Sequence, residues 1–347
     1  MAISTIGTNS LSDPIAVNAT GALTGTVNGL TPQASNMQPH NLIINGNMAI
    51  WQRGVSQTST GYGCVDRFSN TLSGTVTFSQ ETTGLPSGFA YALKWTTGAG
   101  TSYGQVRQFI ETENVKSLRS KTLTASAYVK VSSNYSGVIS WEIGYSTGGD
   151  GSGAIYTVLS STNATTASSS DASADYKRIS CNVTIPADAV GIYIGIVPSV
   201  VQATGVYCSI TGVQLEAGSS ASPFEHRSYG AELALCQRYY EKSYNTDVVP
   251  GTITNAGFSN SPATGFNTNL WGAMVRFNVT KRANPTISLW TYSGVSGQWH
   301  YGVASQSEGL ANSLIYAPGM SGFTPYMTAA ATGQNTLYGH WTATAEL

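Results

Sequence analysis

Apolar and polar positions alternate strictly along much of the middle of this chain. Across 122–131, Leu123, Ala125, Ala127, Val129 and Val131 share one side, and Thr122, Thr124, Ser126 and Lys130 the other. Ile139, Trp141, Ile143 and Tyr145 alternate with Ser140, Glu142 and Gly144. Ile179, Cys181, Val183 and Ile185 alternate with Arg178, Ser180, Asn182 and Thr184. Ile192, Ile194 and Ile196 form another such row, as do Tyr91, Leu93 and Trp95. A period of two puts successive side chains on opposite faces of a half-buried antiparallel strand. Many short strands between Gly, Ser and Asn turns predict a β-sandwich or jelly roll over 41–227. Near its end Val206, Cys208 and Ile210 keep one phase, and Val213 and Leu215 the other. A one-residue phase change at Thr211-Gly212 predicts a β-bulge. Residues 157–176 read as a long polar loop. The run GGDGSG at 148–153 reads as a hairpin turn, because it lacks the acid density of a calcium loop.

One segment has a helical period. Leu233, Cys236 and Tyr240 fall at i, i+3 and i+7, with Leu235 and Tyr239 beside them and Ser228 placed to cap. This predicts a short connecting helix within 228–244, which persists only when docked. Beyond a polar connector, Val275, Phe277 and Val279 alternate, Pro285 opens another strand, and LYGHWTATAEL forms the last one. Residues 245–347 are thus expected to form a second β domain. Residues 1–40 show neither period. They carry no Lys or Arg and a single acid, Asp13. They read as an extended N-terminal arm that orders on a partner, or as a free terminus. The expected fold class is all-β: a jelly-roll/β-sandwich domain, one short α-helix, a second C-terminal β domain and the arm.

Composition narrows the function. Of 347 residues only 10% are charged, and the net charge is −1. That is too little field to hold a phosphate backbone, so nucleic acid is excluded as a general partner. No apolar run approaches the ~20 residues of a spanning helix, so membrane insertion is not expected. The first residues lack the basic and apolar regions of a secretory signal. Cys64, Cys181, Cys208 and Cys236 show no CxxC spacing and read as reduced, buried thiols. After Arg282 the only charged residues are Glu308 and Glu346. A surface so neutral is expected to pack against copies of itself.

Catalytic patterns are missing. His40, His226, His300 and His340 stand in no zinc-binding spacing, and there is neither a nucleophile elbow nor a phosphate loop. Glu111 with Glu113, or Glu142, could form a glycosidase carboxylate pair, but solvated or salt-bridged acids are the simpler reading. No catalytic residue, cofactor or metal is therefore assigned. Aromatics are plentiful, with 19 Tyr, 7 Trp and 9 Phe. Trp290, Tyr292, Trp299 and Tyr301 cluster and form a candidate glycan or receptor surface, since ring faces suit the C–H faces of sugars. Packing in a core or between subunits is the alternative for the same rings.

Several longer stretches are familiar. NLIINGNMAIWQRG (41–54), YGCVDRFS (62–69), SLRSKTLTASAYVKV (117–131), ITGVQLEAGSSASPFEHRSYGAELALCQRYYEK (210–242), VRFNVTKRANPTISL (275–289) and the TATAEL ending resemble a widespread group of bacteriophage virion proteins, mostly tail fibres or other structural proteins. The resemblance spans roughly 41–347 and implies a β-sandwich like a carbohydrate-binding module, a connecting helix, and a distal, trimerising C-terminal β domain. It implies a homotrimer on the tail or particle surface of a virion, made in the bacterial host cytoplasm and joined to other virion proteins through 1–40. Host surface polysaccharide is a partner it allows. It carries no catalytic residues. Its central motif maps onto Gln214, Leu215, Glu216, Gly218, Pro223, Phe224, Glu225, His226, Arg227, Tyr229, Glu232, Cys236, Arg238 and Tyr239, which look structural. Glu225, Arg227, Glu232 and Arg238 are expected to form a charge network pinning the helix to the sandwich. Ala231 stands where relatives often have Glu, which removes a capping-box acid. The expected function is a trimeric tail fibre that attaches to a host glycan or protein. The alternative is a capsid-decorating head fibre or head–tail protein without a receptor role. A depolymerase is disfavoured because no β-helical repeat is visible.

Overall fold

Alternating strands become stable only when their apolar faces meet, and the computed structural model shows where they do. It describes residues 16–17, 23–24, 41–266, 269–303, 306–328 and 336–347. The chain divides into two compact units, 1–40 and 41–347. In the first, β1 (Ala16–Val17) pairs antiparallel with β2 (Leu23–Thr24). The rest of the expected arm lies outside the described residues.

The second unit begins with β3 (Ser56–Gln57), β4 (Ser69–Ser73), β5 (Val76–Glu81), β6 (Ala92–Thr97), β7 (Tyr103–Ile110), β8 (Thr122–Val131), β9 (Ile139–Ser146), β10 (Thr157–Val158), β11 (Lys177–Thr184), β12 (Gly191–Pro198) and β13 (Tyr207–Ala217). They form two antiparallel sheets, ordered β10-β9-β12-β7-β4 and β11-β8-β13-β6-β5-β3. The rows read from the sequence point inward and share one core: Leu123 to Val131 in β8, Ile192, Ile194 and Ile196 in β12, and Ile179, Cys181 and Val183 in β11. Each fully buried Leu, Ile or Val contributes about 1.5–3 kcal/mol. All four cysteines are buried free thiols, and burial pushes Cys181 up to about 12. Two four-residue helices, α1 (Thr112–Val115) and α2 (Ser169–Ala172), sit in connections. The expected 157–176 loop thus contains β10 and α2.

The bulge is present. Pairing of β13 with β8 jumps from Thr211–Tyr128 to Gln214–Ser126. Gly212 has φ +62°, and a Cβ there would lie 2.7 Å from the Phe89 ring and 2.8 Å from that of Tyr128. Only glycine fits both the backbone and the space.

The connecting helix α3 spans Tyr229–Gln237, capped by Ser228, whose hydroxyl accepts from the Ala231 amide. It is shorter than the periodicity predicts. Tyr240–Lys242 instead form β14, paired with Thr342–Thr344. The aromatic positions that extend the helical period are used otherwise: Tyr239 lies 3.4 Å from the Arg67 guanidinium and Tyr240 3.7 Å from that of Arg53. Glu241 and Lys281 form an ion pair that is fully buried. Tertiary contacts override a helical pattern of modest strength.

The remaining strands are β15 (Ser259–Phe266), β16 (Asn269–Gly272), β17 (Val275–Arg276), β18 (Thr286–Trp290), β19 (Gln298–Val303), β20 (Gln306–Gly319), β21 (Gly322–Thr328) and β22 (Thr336–Thr344). Their order β22-β15-β16-β21-β20-β19 returns to β22, so the sheet closes on itself. Closure removes exposed strand edges. Leu270, Leu289, Trp299, Phe323, Met327, Leu337 and Trp341 fill this barrel. No helix among the described residues is long and apolar enough to cross a membrane.

The end of β22 runs back to the sandwich. Glu346 is held by Arg53 at 2.8 Å and by Arg67, while Arg53 also reaches Asp66 at 3.2 Å. Arg282 donates to the Ala345 carbonyl and Tyr62 to that of Leu347. Leu347 packs against Phe109, Tyr193 and Tyr239. Burial pushes Asp66 up to about 6 against the pull of Arg53, and pushes Lys242 down to about 8.

Candidate functional site

The four clustered aromatics do not share a surface. Alternation along β19 sends Trp299 into the barrel, where it is 0% exposed and donates its indole N–H to the His340 carbonyl. A Cβ at residue 339 would lie 2.4 Å from the Trp299 ring, so Gly339 makes room for it. Trp299 is therefore a core residue and not a sugar platform. Tyr301 follows on the same face, half-buried against that core. Tyr292 lies on the other face, stacked on His300 at 4.1 Å, and His300 lies 5.4 Å from Tyr338. Trp290 meets Tyr244 edge-on at 6.4 Å. Tyr244 in turn stacks on His340, which is fully buried with both ring nitrogens bonded.

The central motif builds a joint. Gln214 accepts from the Glu225 amide and donates to Glu216, which also accepts from the Ser222 amide and hydroxyl. These bonds hold 218–225 over the outer face of the six-stranded sheet. Phe224 and His226 close on Phe89, at 5.1 and 5.2 Å, after the exposed Pro223. The charge network differs from the expected one. Arg227 pairs with Glu232 at 3.3 Å and donates to the Ile43 and Asn41 carbonyls. Glu225 accepts the Asn41 amide, and Arg238 reaches past the helix to Glu111 at 3.0 Å. The helix is pinned through one pair within the motif, Arg227–Glu232, while Glu225 and Arg238 find their partners, Asn41 and Glu111, in the sandwich. Cys236 is buried beneath it.

The carboxylates considered for glycosidase chemistry are each engaged: Glu111 with Arg238, Glu113 with Lys116, and Glu142 with Arg107 and the Tyr193 hydroxyl. Asp150 accepts from the Thr112 amide and hydroxyl, as a turn residue does. Among the described residues no group of three His, Cys, Asp or Glu converges as for a metal.

No family model and no curated protein matches this chain. Among solved structures, tailspike protein 4 of bacteriophage CBA120 is similar over 51% of this chain and 21% of its own enzymatically active domain, with 14% identity and a TM-score of 0.32. The CBM22-1 xylan-binding domain from Paenibacillus barcinonensis is similar over 49% of this chain and 99% of its own, with 8% identity and a TM-score of 0.31. TmCBM61, solved with β-1,4-galactotriose, is similar over 52% and 100%, with 11% identity and a TM-score of 0.31.

Exposed aromatics lie elsewhere, on strands whose sequence periodicity is too short to mark them. On the outside of the barrel Trp271 stacks on Tyr326 at 4.6 Å, and Tyr316 meets Trp271 edge-on at 5.1 Å. Tyr316 is 56% exposed, and Leu314 on the same strand and Met274 in the link between β16 and β17 are exposed too. Cross-strand register assembles this patch from β16, β21 and β20. None of these side chains is charged. A separate cleft of about 290 Å³ opens at the rim of the sandwich, lined in part by Trp51, Gln80, Tyr91, Tyr229 and Asp247.

Proposed function

We propose that the chain is a structural component of a bacteriophage particle: a trimeric tail fibre, held by residues 1–40, whose barrel contacts the host surface. The observation that carries the contact surface is the uncharged patch of Trp271, Tyr316 and Tyr326 on the outside of the barrel. Aromatic rings beside neutral side chains suit either a glycan face or a protein anchor. Trp290 and Tyr292 lie on the barrel as secondary contacts, and Trp299 has no such role. The scarcity of charge from 283 onward supports self-association. Individual contacts are then weak, and several copies supply avidity.

Host-cell binding by full-length Trp271→Ala and Tyr316→Ala tests this. A loss of about tenfold or more with unchanged melting is expected for each. Unchanged binding by both disposes of the patch. Gold-labelled antibody against 245–347 on intact virions tests the location, and label over the head in place of the tail would favour the decoration role.

A further inference from the structure

We infer that the cleft at the sandwich rim is a second, independent binding site, for an uncharged pyranose residue. This site shares no residue with the barrel patch and does not depend on it.

Gln80 and Tyr91 lie on the inward faces of β5 and of the segment leading into β6. Their neighbours along those faces, Phe78 and Leu93, are fully buried. At the rim the core ends, and these two inward side chains line open space instead. Tyr229, the first residue of α3, lines the same cleft and is 54% exposed. Its ring makes no aromatic contact among the described residues. Trp51 forms part of the wall and is nearly buried.

The polar groups of the cleft point to a ligand. The Gln80 side-chain amide, the Tyr91 and Tyr229 hydroxyls and the Asp247 carboxylate have no hydrogen-bond partner among the described residues, and Asp247 acts only through space on the Lys242 ammonium beneath it. That concentration is unusual in a chain whose other carboxylates are mostly engaged. The wall bearing Asp247 is fixed in advance. Lys242 extends under it and donates to the Gln52, Thr246 and Val248 carbonyls. The Val248 amide donates to the Asn245 carbonyl at 3.1 Å. A preformed wall lowers the ordering cost of binding.

These groups match one chemistry. Ring faces take an apolar C–H face, and a carboxylate beside a primary amide binds vicinal hydroxyls, one accepting and the other both donating and accepting. The volume is near the lower limit of small-molecule pockets, about 300 Å³. It holds a single sugar residue, with neighbouring residues in solvent. Asp247 repels uronic and sialic acids and accepts from neutral or N-acetylated hexoses.

Saturation-transfer NMR on the full chain provides the test. The probes are free glucose, galactose, mannose, N-acetylglucosamine and N-acetylgalactosamine, against glucuronate and N-acetylneuraminate, at millimolar concentration. At least one neutral sugar is expected to bind saturably, and the acidic sugars to bind at least several-fold more weakly. Tyr229→Ala and Asp247→Ala, both solvent-facing, should each lower that affinity about tenfold or more without moving the melting temperature. Lys116→Ala, exposed at the end of α1 and outside the cleft lining, should leave it unchanged. The site is overturned if no neutral sugar binds, if both cleft variants bind as the parent does, or if acidic sugars bind equally well. Loss of cell binding in the barrel variants, with sugar binding in the cleft intact, would separate the two surfaces.

Discussion

Trp299 shows how one residue's surroundings decide its meaning. The local sequence places four aromatics within twelve positions, and nothing in that spacing reveals which face a barrel will enclose. Trp299→Ala is expected to cost about 3–5 kcal/mol in a denaturant melt, with any loss of binding following from unfolding. Gly212 is the opposite case, because the phase change in the sequence marks it directly. Gly212→Ala should destabilise by about 1–3 kcal/mol, since the Cβ meets two rings at a left-handed backbone position. Glu346→Gln withdraws the charge shared by two buried guanidiniums and is expected to cost about 3–5 kcal/mol. Asp66 sets a pH signature. A carboxyl whose folded pKa is raised favours folding fully below its ordinary 3.8, and that contribution is lost as pH rises through about 6. Asp66→Asn should flatten this part of the stability profile, measured as the denaturant midpoint against pH. An unchanged slope would show that Asp66 ionises normally in the fold.

At the scale of elements, β8, β9, β11 and β12 were legible because each buries one face and exposes the other, so burial reproduces the alternation directly. The bulge was legible for the same reason. The end of α3 was not. Tyr239 and Tyr240 continue a helical period, yet they bind arginines supplied from Arg53 and Arg67, more than 150 residues earlier in the chain. The closure of the barrel was equally hidden, because it depends on β22 pairing along both edges with strands whose own patterns are short. Ser228→Ala tests the part of α3 that was visible. Loss of the cap should cost about 0.5–1 kcal/mol, at the low end because the bond is long at 3.4 Å. A cost several times larger would mean that Ser228 serves the joint as well as the helix.

At the scale of the molecule, low charge has a visible distribution. Charged groups concentrate where the sandwich, α3 and the barrel meet, and the outer barrel keeps few. The patch and the cleft were not legible, since each gathers residues distant in sequence onto one surface. Arg53, Arg67 and Glu346 are 279 and 293 residues apart and form one of the main ties at that meeting point. Light scattering on the purified chain is expected to give the mass of three copies, and a monomer at all concentrations would remove the trimer.

Asn41 is where the second unit begins, and its side chain grips the Val213 carbonyl and the Leu215 amide, while its carbonyl and amide are held by Arg227 and Glu225. Both grips fall on β13, an interior strand of its sheet, flanked by β8 and β6. A tug on the chain at residue 40 is thus delivered to the middle of the sandwich and spread as shear over two strand ladders. Pulled from that end, Asn41 is anchored by bonds that must all shear together before the strand beneath it can be peeled from its neighbours.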